Sequence, residues 1–154
     1  MFEIVLFEPE IPPNTGNIMR LCANAGCRLH LVRPLGFSLS DKQLTRAGMD
    51  YREQMTLMLH DDWPHYRKEL SGHRMFAVTT RGSGRYDRAA FRPGDALVFG
   101  PETRGLPVAV LDEFSPAERL RVPMLAGSRS LNLANAVTAV LYEALRQQDF
   151  NGLT

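Results

Sequence analysis

A chain of 154 residues has room for one domain of ordinary size with a substantial core. Its 18 Lys and Arg against 17 Asp and Glu leave a formal charge of +1, which excludes coating of nucleic acid by charge alone but leaves local patches open. Hydrophobic residues at 44% and charged residues at 23% exclude collagen, disulfide scaffolds and disordered tails. Cys22 and Cys27 form neither a C-x-x-C motif nor half of a paired metal-ligand set, and are expected to be free thiols in a reducing compartment. The opening MFEIVLFEPE has acids on its flanks and no basic region, unlike a targeting signal. No apolar stretch approaches the roughly 20 residues needed to cross a bilayer, so a soluble cytoplasmic protein without membrane partners is expected.

In chain order, the pattern predicts a strand at 3–7, a helix at 15–25, a strand at 28–32 and helices at 41–47 and 60–70. Strands at 75–80 and 95–99, a helix at 107–114, a strand at 119–122 and a long helix at 131–147 follow. Strands alternating with helices predict an α/β domain with a largely parallel sheet covered on both faces. On the last helix Leu133, Val137, Val140, Leu141, Ala144 and Leu145 form a core face. Asn132, Asn135, Ala139, Tyr142 and Arg146 form a second stripe, suited either to solvent or to close packing against another subunit.

Three segments carry more Gly, Pro, Asn and Ser than turns require. In the first, Pro12 to Arg20, Asn14 is placed to cap the following helix, and an early helix start would put Asn17 and Arg20 on one face. An always-charged fork would then stand beside an amide near a strand's carboxyl end, where open α/β folds bind ligands; the plainer reading is a cap and a solvated Arg. The second, Phe99 to Pro107, follows a strand directly, with Gly100 allowing close approach and Pro101 stiffening the exit. Glu102 and Arg104 stand on this loop, either facing a ligand or paired with each other. The third, Ser128 to Asn135, opens the last helix with a capping serine and free backbone N–H groups that suit an anion, although capping alone would explain it.

Among familiar motifs, neither G-x-G-x-x-G after a strand nor G-x-x-x-x-G-K-[ST] occurs, so an ordinary dinucleotide site or P-loop is not expected. Gly82-Ser83-Gly84 reads as a flexible turn. His30, His60, His65 and His73 have no zinc spacing and no accompanying nucleophile motif, so they read as structural or exposed, and no metal is expected.

Together, N-T-G-N-I-x-R at Asn14 to Arg20, L-V-F-G-P-E-T-R-G-L-P at Leu97 to Pro107 and S-R-S-L-N-L-x-N at Ser128 to Asn135 resemble the three motifs of SPOUT-superfamily RNA ribose 2′-O-methyltransferases. The chain is most similar to the short members that act on the wobble nucleotide of tRNA, and the similarity extends to H-L-V-R-P-L-G-F at His30 to Phe37 and to Asp50-Tyr51. The resemblance implies an α/β, parallel-sheet SPOUT fold with a C-terminal trefoil knot, spanning 1–154 as a single methyltransferase domain. Topology rules alone would not suggest it, since true knots are very rare. It further implies a homodimer and S-adenosylmethionine held in the knot loops by Val78, Thr79, Gly100, Val122, Met124, Ser130 and Leu131, largely through backbone. Arg20 is the residue expected to act on the ribose 2′-OH and its phosphate, with Asn14, Glu102, Ser130 and Asn132 organising the site. A guanidinium with a pKa above about 12 is a difficult base, so orientation and deprotonation both remain open for Arg20. Ala134 departs from the family, where Ser is common, and the amino-terminal RNA-binding extension of longer members is missing from this sequence.

The implied activity is methyl transfer to a cytidine or modified uridine at tRNA position 34, with the anticodon stem-loop as partner. The same chemistry on ribosomal RNA and a nonenzymatic RNA-binding module are the alternatives. The net charge hides polarity of the kind RNA requires: residues 20–52 carry six bases and two acids (6 − 2 = +4), and 74–92 carry five and one (5 − 1 = +4). Of the 18 basic residues 16 are Arg, the better phosphate fork, and those of the two positive segments are expected to line the tRNA surface.

Overall fold

The computed structural model describes residues 1–48 and 55–154, so Asp50-Tyr51 and Arg52 lie outside the described residues. Its strands are short apolar runs that alternate between two faces. In β1 (Glu3–Phe7), Ile4 and Leu6 join one buried cluster while Val5 and Phe7 join another. β2 (Arg28–Val32) pairs parallel to one side of β1, and beyond it lies β3 (Thr56–His60). On the other side, β6 (Ala96–Phe99) pairs with β1 and β4 (Met75–Val78) with β6. The two-residue strand β5 (Gly84–Arg85) and β7 (Arg119–Arg121) complete a parallel sheet in the order β3-β2-β1-β6-β4-β7-β5 among the described residues.

Helices cover both faces, as parallel pairing requires. α1 (Pro12–Ala25) and α5 (Leu133–Gln147) pack with Leu97 and Phe99 on one side, where α1 also meets α2 (Lys42–Gly48). On the other side α3 (Trp63–Glu69) and α4 (Val108–Leu111) bury Trp63, Tyr66, Val110 and Leu111 against Val5, Ala77 and Val98.

Several boundaries differ from the pattern reading. α1 begins at Pro12 rather than at residue 15, because Pro at the first helical positions has a favourable φ and gives up only N–H groups that the helix leaves unpaired. Its N-cap is Ile11, so Asn14 lies inside the first turn and does not cap. The predicted helix at 60–70 starts only at Trp63, behind an Asp62 cap that accepts from the His65 N–H. His60 instead ends β3, a strand the pattern missed along with β5.

The insertion of β7 has a local cause. β4 and β5 are joined by the short stretch 79–83, yet β7 lies between them. Gly82 makes room: a Cβ there would fall 2.5 Å from the backbone carbon of Leu120. Gly82-Ser83-Gly84 is therefore a fitted saddle over β7, not a merely flexible turn.

Candidate active site

Three loops leave the carboxyl ends of the adjacent strands β6, β4 and β7 and enclose a cavity of about 310 Å³. All seven residues expected to meet a cofactor line it: Val78 and Thr79 after β4, Gly100 after β6, and Val122, Met124, Ser130 and Leu131 after β7. Glu102 lines it as well. The volume lies at the lower end of the roughly 300–1,000 Å³ of small-molecule pockets. The lining sets apolar Val78, Leu106 and Val122 beside Thr79, Glu102 and Ser130, a combination that fits a nucleoside with a charged tail.

Gly100 shapes this cavity by close approach. A Cβ at this position would lie 2.2 Å from the Leu106 nitrogen and 2.4 Å from the Gly105 carbonyl carbon, so the loop can fold back on itself only without a side chain. Pro101 is buried, and its carbonyl accepts from the Gly105 N–H at 2.9 Å.

The loop is clamped to the segment before α1. The Glu102 carboxylate accepts from the backbone N–H groups of Glu10 (2.8 Å) and Ile11 (3.1 Å) and from Asn14 Nδ2 (3.3 Å). In return the Glu10 carboxylate accepts from the Thr103 hydroxyl at 2.8 Å, and Arg104 pairs with Glu8. Glu102 and Arg104 therefore do not pair with each other; each reaches across to the other segment. Asn14 passes the connection on, its Oδ1 accepting from Asn132 Nδ2 at 2.9 Å. One hydrogen-bonded chain, Glu102 to Asn14 to Asn132, thus joins the three motif segments over sequence separations of 88 and 118 residues.

The third segment is built differently from its pattern. Asn132, not Ser130, caps α5, its side chain accepting from the Asn135 N–H at 3.3 Å. Ser130 and Leu131 lie before the cap, exposed, and face the cavity. Ala134 is buried, so the residue that departs from the family pattern packs in the core.

Arg20 is exposed on α1 and shares an exposed face with Asn17, as an early helix start required. It is not among the residues lining the cavity of its own chain, and neither are Asn14 and Asn132. Arg81 and Arg129 do line it, and motif reading singled out neither as a ligand contact. For Arg81 a signal existed, since it lies three residues past the end of β4, where such folds bind ligands.

The expected Arg surface is partly spent in ion pairs within the chain. Arg28 pairs with Glu3, Arg33 with Asp61, Arg74 with Asp95 and Arg85 with Asp87. The two cysteines are free and buried, and burial pushes the Cys27 thiol up to about 11, far from a reactive thiolate.

A parallel sheet whose strand-end loops fold over a nucleoside-sized cavity, laced together by Glu102, Asn14 and Asn132, defines a small-molecule-binding α/β enzyme. The profile of the SpoU rRNA Methylase family matches residues 1–142, and the chain belongs to that family. It is 60% identical over 152 residues to the tRNA (cytidine(34)-2′-O)-methyltransferase of Methylovorus glucosotrophus, covering 99% of each chain. A solved structure concerned with the 2-OH methylation of C/U34 on tRNA superposes with a TM-score of 0.93 at 48% identity, covering 98% of both chains. The AdoMet-bound rRNA methyltransferase of Sinorhizobium meliloti superposes at 0.78 with 26% identity, over 94% of this chain and 56% of the other.

Proposed function

We propose that the protein is an S-adenosylmethionine-dependent tRNA 2′-O-methyltransferase acting on the ribose of the wobble nucleotide, a cytidine or modified uridine at position 34. The observation that carries the reading is the bonded chain from Glu102 through Asn14 to Asn132, which ties the first motif segment to the two whose residues line one cavity. Full-length similarity at 60% to a relative named for this reaction favours tRNA over ribosomal RNA. An intact cavity and motif set favours an enzyme over a binding module.

When bound, S-adenosylmethionine supplies a methyl group already activated on a sulfonium. The chain's residues then have two tasks, alignment and proton handling. Val78, Thr79, Gly100, Val122, Met124, Ser130 and Leu131, which line the cavity, would hold the cofactor. Glu102 and Asn132 set the Asn14 amide, fixing how α1 stands against the cavity. Arg20 grips the ribose 2′-OH and the adjacent phosphate, either orienting the hydroxyl or relaying its proton.

Because Arg20 stands outside the lining of its own chain, the reading includes a homodimer in which RNA is held between copies. Exposed Ile11, Leu131, Tyr142 and Phe150 supply apolar contact area for such an interface. The reading also includes one domain over 1–154 and a cytoplasmic setting. It includes a trefoil knot as well, supported by the position of β7 between β4 and β5, two strands joined by only five residues, 79–83.

The test is transfer of labelled methyl from S-adenosylmethionine to total tRNA, with mass mapping of ribose methylation in a deletion strain. Loss confined to position 34, restored by the wild-type chain, is expected. Unchanged methylation at position 34, or loss in ribosomal RNA instead, would overturn the reading.

A further inference from the structure

At the far edge of the sheet, away from the cavity, a line of polar side chains runs through the core of the β2–β3 side. The Glu3 carboxylate, fully buried and paired with Arg28, contacts His30 Nε2 at 2.8 Å. His30 Nδ1 lies 2.9 Å from His60 Nε2. The buried Tyr66 ring meets both imidazoles edge-on and walls the line off from water.

The hydrogen-bond roles propagate outward. Glu3 is an acceptor: burial would raise its pKa, but the hydrogen bonds from His30 and Arg28 outweigh this and hold it below its ordinary value. His30 therefore carries a proton on Nε2, and in the neutral ring its Nδ1 accepts. His60 then donates from Nε2, and its Nδ1 is left as a bare lone pair.

That lone pair has no hydrogen-bond partner although the ring is completely buried. It faces the Glu69 carboxylate, whose Oε2 is 3.0 Å away and whose Oε1 is 3.3 Å from His65 Nε2. The three donor atoms lie within 4.8 Å of one another. Two acceptors 3.0 Å apart with no hydrogen bond between them are unfavourable unless a cation sits between them. Ligands of one tetrahedral ion at about 2.0 Å have donor atoms about 3.3 Å apart, each about 35° off the other's lone-pair axis. The 3.0 Å and 3.3 Å contacts of the two imidazoles, made to the two oxygens of one carboxylate, are of that size.

We propose that His60 Nδ1, His65 Nε2 and the Glu69 carboxylate form a binding site for a borderline divalent transition-metal ion of the zinc(II) class, fastening α3 to the edge strand β3. Two imidazoles and a carboxylate are a suitable donor set, and water would fill the fourth position. The outer partners follow the usual design of such sites: the ligating ring gives its other N–H to a second histidine, which is anchored in turn by a carboxylate. The side chains of His65 and Glu69 are 43% and 41% exposed, which leaves an entry path. No zinc spacing is visible in the sequence because one ligand ends a strand while the other two stand four residues apart on the next helix.

The test titrates purified, chelator-treated protein with zinc(II) by calorimetry and with cobalt(II) by visible absorption. One-to-one binding, a cobalt spectrum of low coordination number and a rise in Tm of several degrees are expected. His65→Ala and Glu69→Gln change exposed positions, and each should weaken zinc(II) at least about tenfold, as loss of a partner to a metal site does. Both should keep the far-UV spectrum of the wild type, and His73→Ala, outside the cluster, should bind as tightly as wild type. Wild-type protein that takes up no ion at millimolar zinc(II), or His65→Ala and Glu69→Gln variants that bind with unchanged affinity, would overturn the proposal.

Discussion

Glu102 is the residue through which the candidate site can be tested most sharply. Replacing it with Gln keeps the shape, but one of its two oxygens becomes an NH2 group. If that group replaces Oε2 it faces the Glu10 N–H, donor against donor; if it replaces Oε1 it faces both the Ile11 N–H and Asn14 Nδ2. The first orientation loses one bond, and the two that remain lose their charge. A hydrogen bond to a charged group contributes about 1.5–3 kcal/mol and a neutral one about 0.5–1.5 kcal/mol. Glu102 is half-buried, so the low end of the range applies and Glu102→Gln should cost about 2 kcal/mol. For a chain of this size that corresponds to a Tm lower by about 4–8 °C. Activity should fall further than stability, because the bond that sets the Asn14 amide loses its charge and the loop loses its tie to Glu10. Thermal denaturation and methyl transfer at saturating cofactor, both run well below Tm, separate the two effects. A Tm within 1 °C of wild type, or full activity in the folded variant, would refute the view that Glu102 clamps the loop and aligns Asn14.

Four shorter predictions follow from the same contacts. Arg20→Ala should abolish methyl transfer while leaving cofactor affinity unchanged, as calorimetry would show, because Arg20 lies outside the cavity lining. Gly100→Ala should weaken cofactor binding and cost about 1–3 kcal/mol or more, as overpacking does, because its Cβ meets rigid backbone at 2.2 Å; urea denaturation reads the loss. Glu3 is held below its unfolded pKa of 4.5, so its contribution is fully present above that pH and is lost as pH falls through the folded value; Glu3→Gln should flatten the acid limb of a stability–pH profile. Cys27, with its thiol pushed up to about 11, should resist alkylation in the native protein at pH 8 and react only on unfolding, as mass spectrometry can follow.

The parts of the fold legible in sequence are those governed by short-range pattern. β1 reads correctly because both of its faces are buried and its ends are polar, and α5 reads correctly because Val137, Val140, Leu141 and Ala144 mark one face. β3 was missed because it is an edge strand with Met58 and Leu59 only half-buried, so its apolar run is short and merges into the helix signal beyond Asp62. β5 has two residues and exists only because β7 lies beside it, which no local window reports. The capping assignments failed for a related reason. Asn14 and Ser130 are good caps by residue type, but Pro12 and Pro13 can open a helix without one, and Asn132 outcompetes Ser130 from two positions on.

The Gly- and Pro-rich loops were legible in the residues, Val78, Thr79, Val122 and Met124 came only through the family resemblance, and the site's connectivity was not legible at all. Loops that must sit close to a ligand or to each other need Gly, Pro and small polar residues, and those types stand out in a row of letters. A partner 88 or 118 residues away leaves no such trace, since Glu102 accepting from Asn14 looks in sequence like any acid and any amide. Motif resemblance supplied the grouping, and the hydrogen bonds give its cause: each motif contributes a member to one polar chain, so none is useful alone. The same logic bears on folding. The chain closes only after β7 has taken its place between β4 and β5 and α5 has docked to bring Asn132 to Asn14, so the site is a property of the completed topology. Contacts at this separation are intrinsically slow to form, because closing a long loop costs entropy before the contact repays it. A site built from segments far apart in the chain that hold one another in place binds a ligand only in the native state, and ligand binding in turn stabilises that topology.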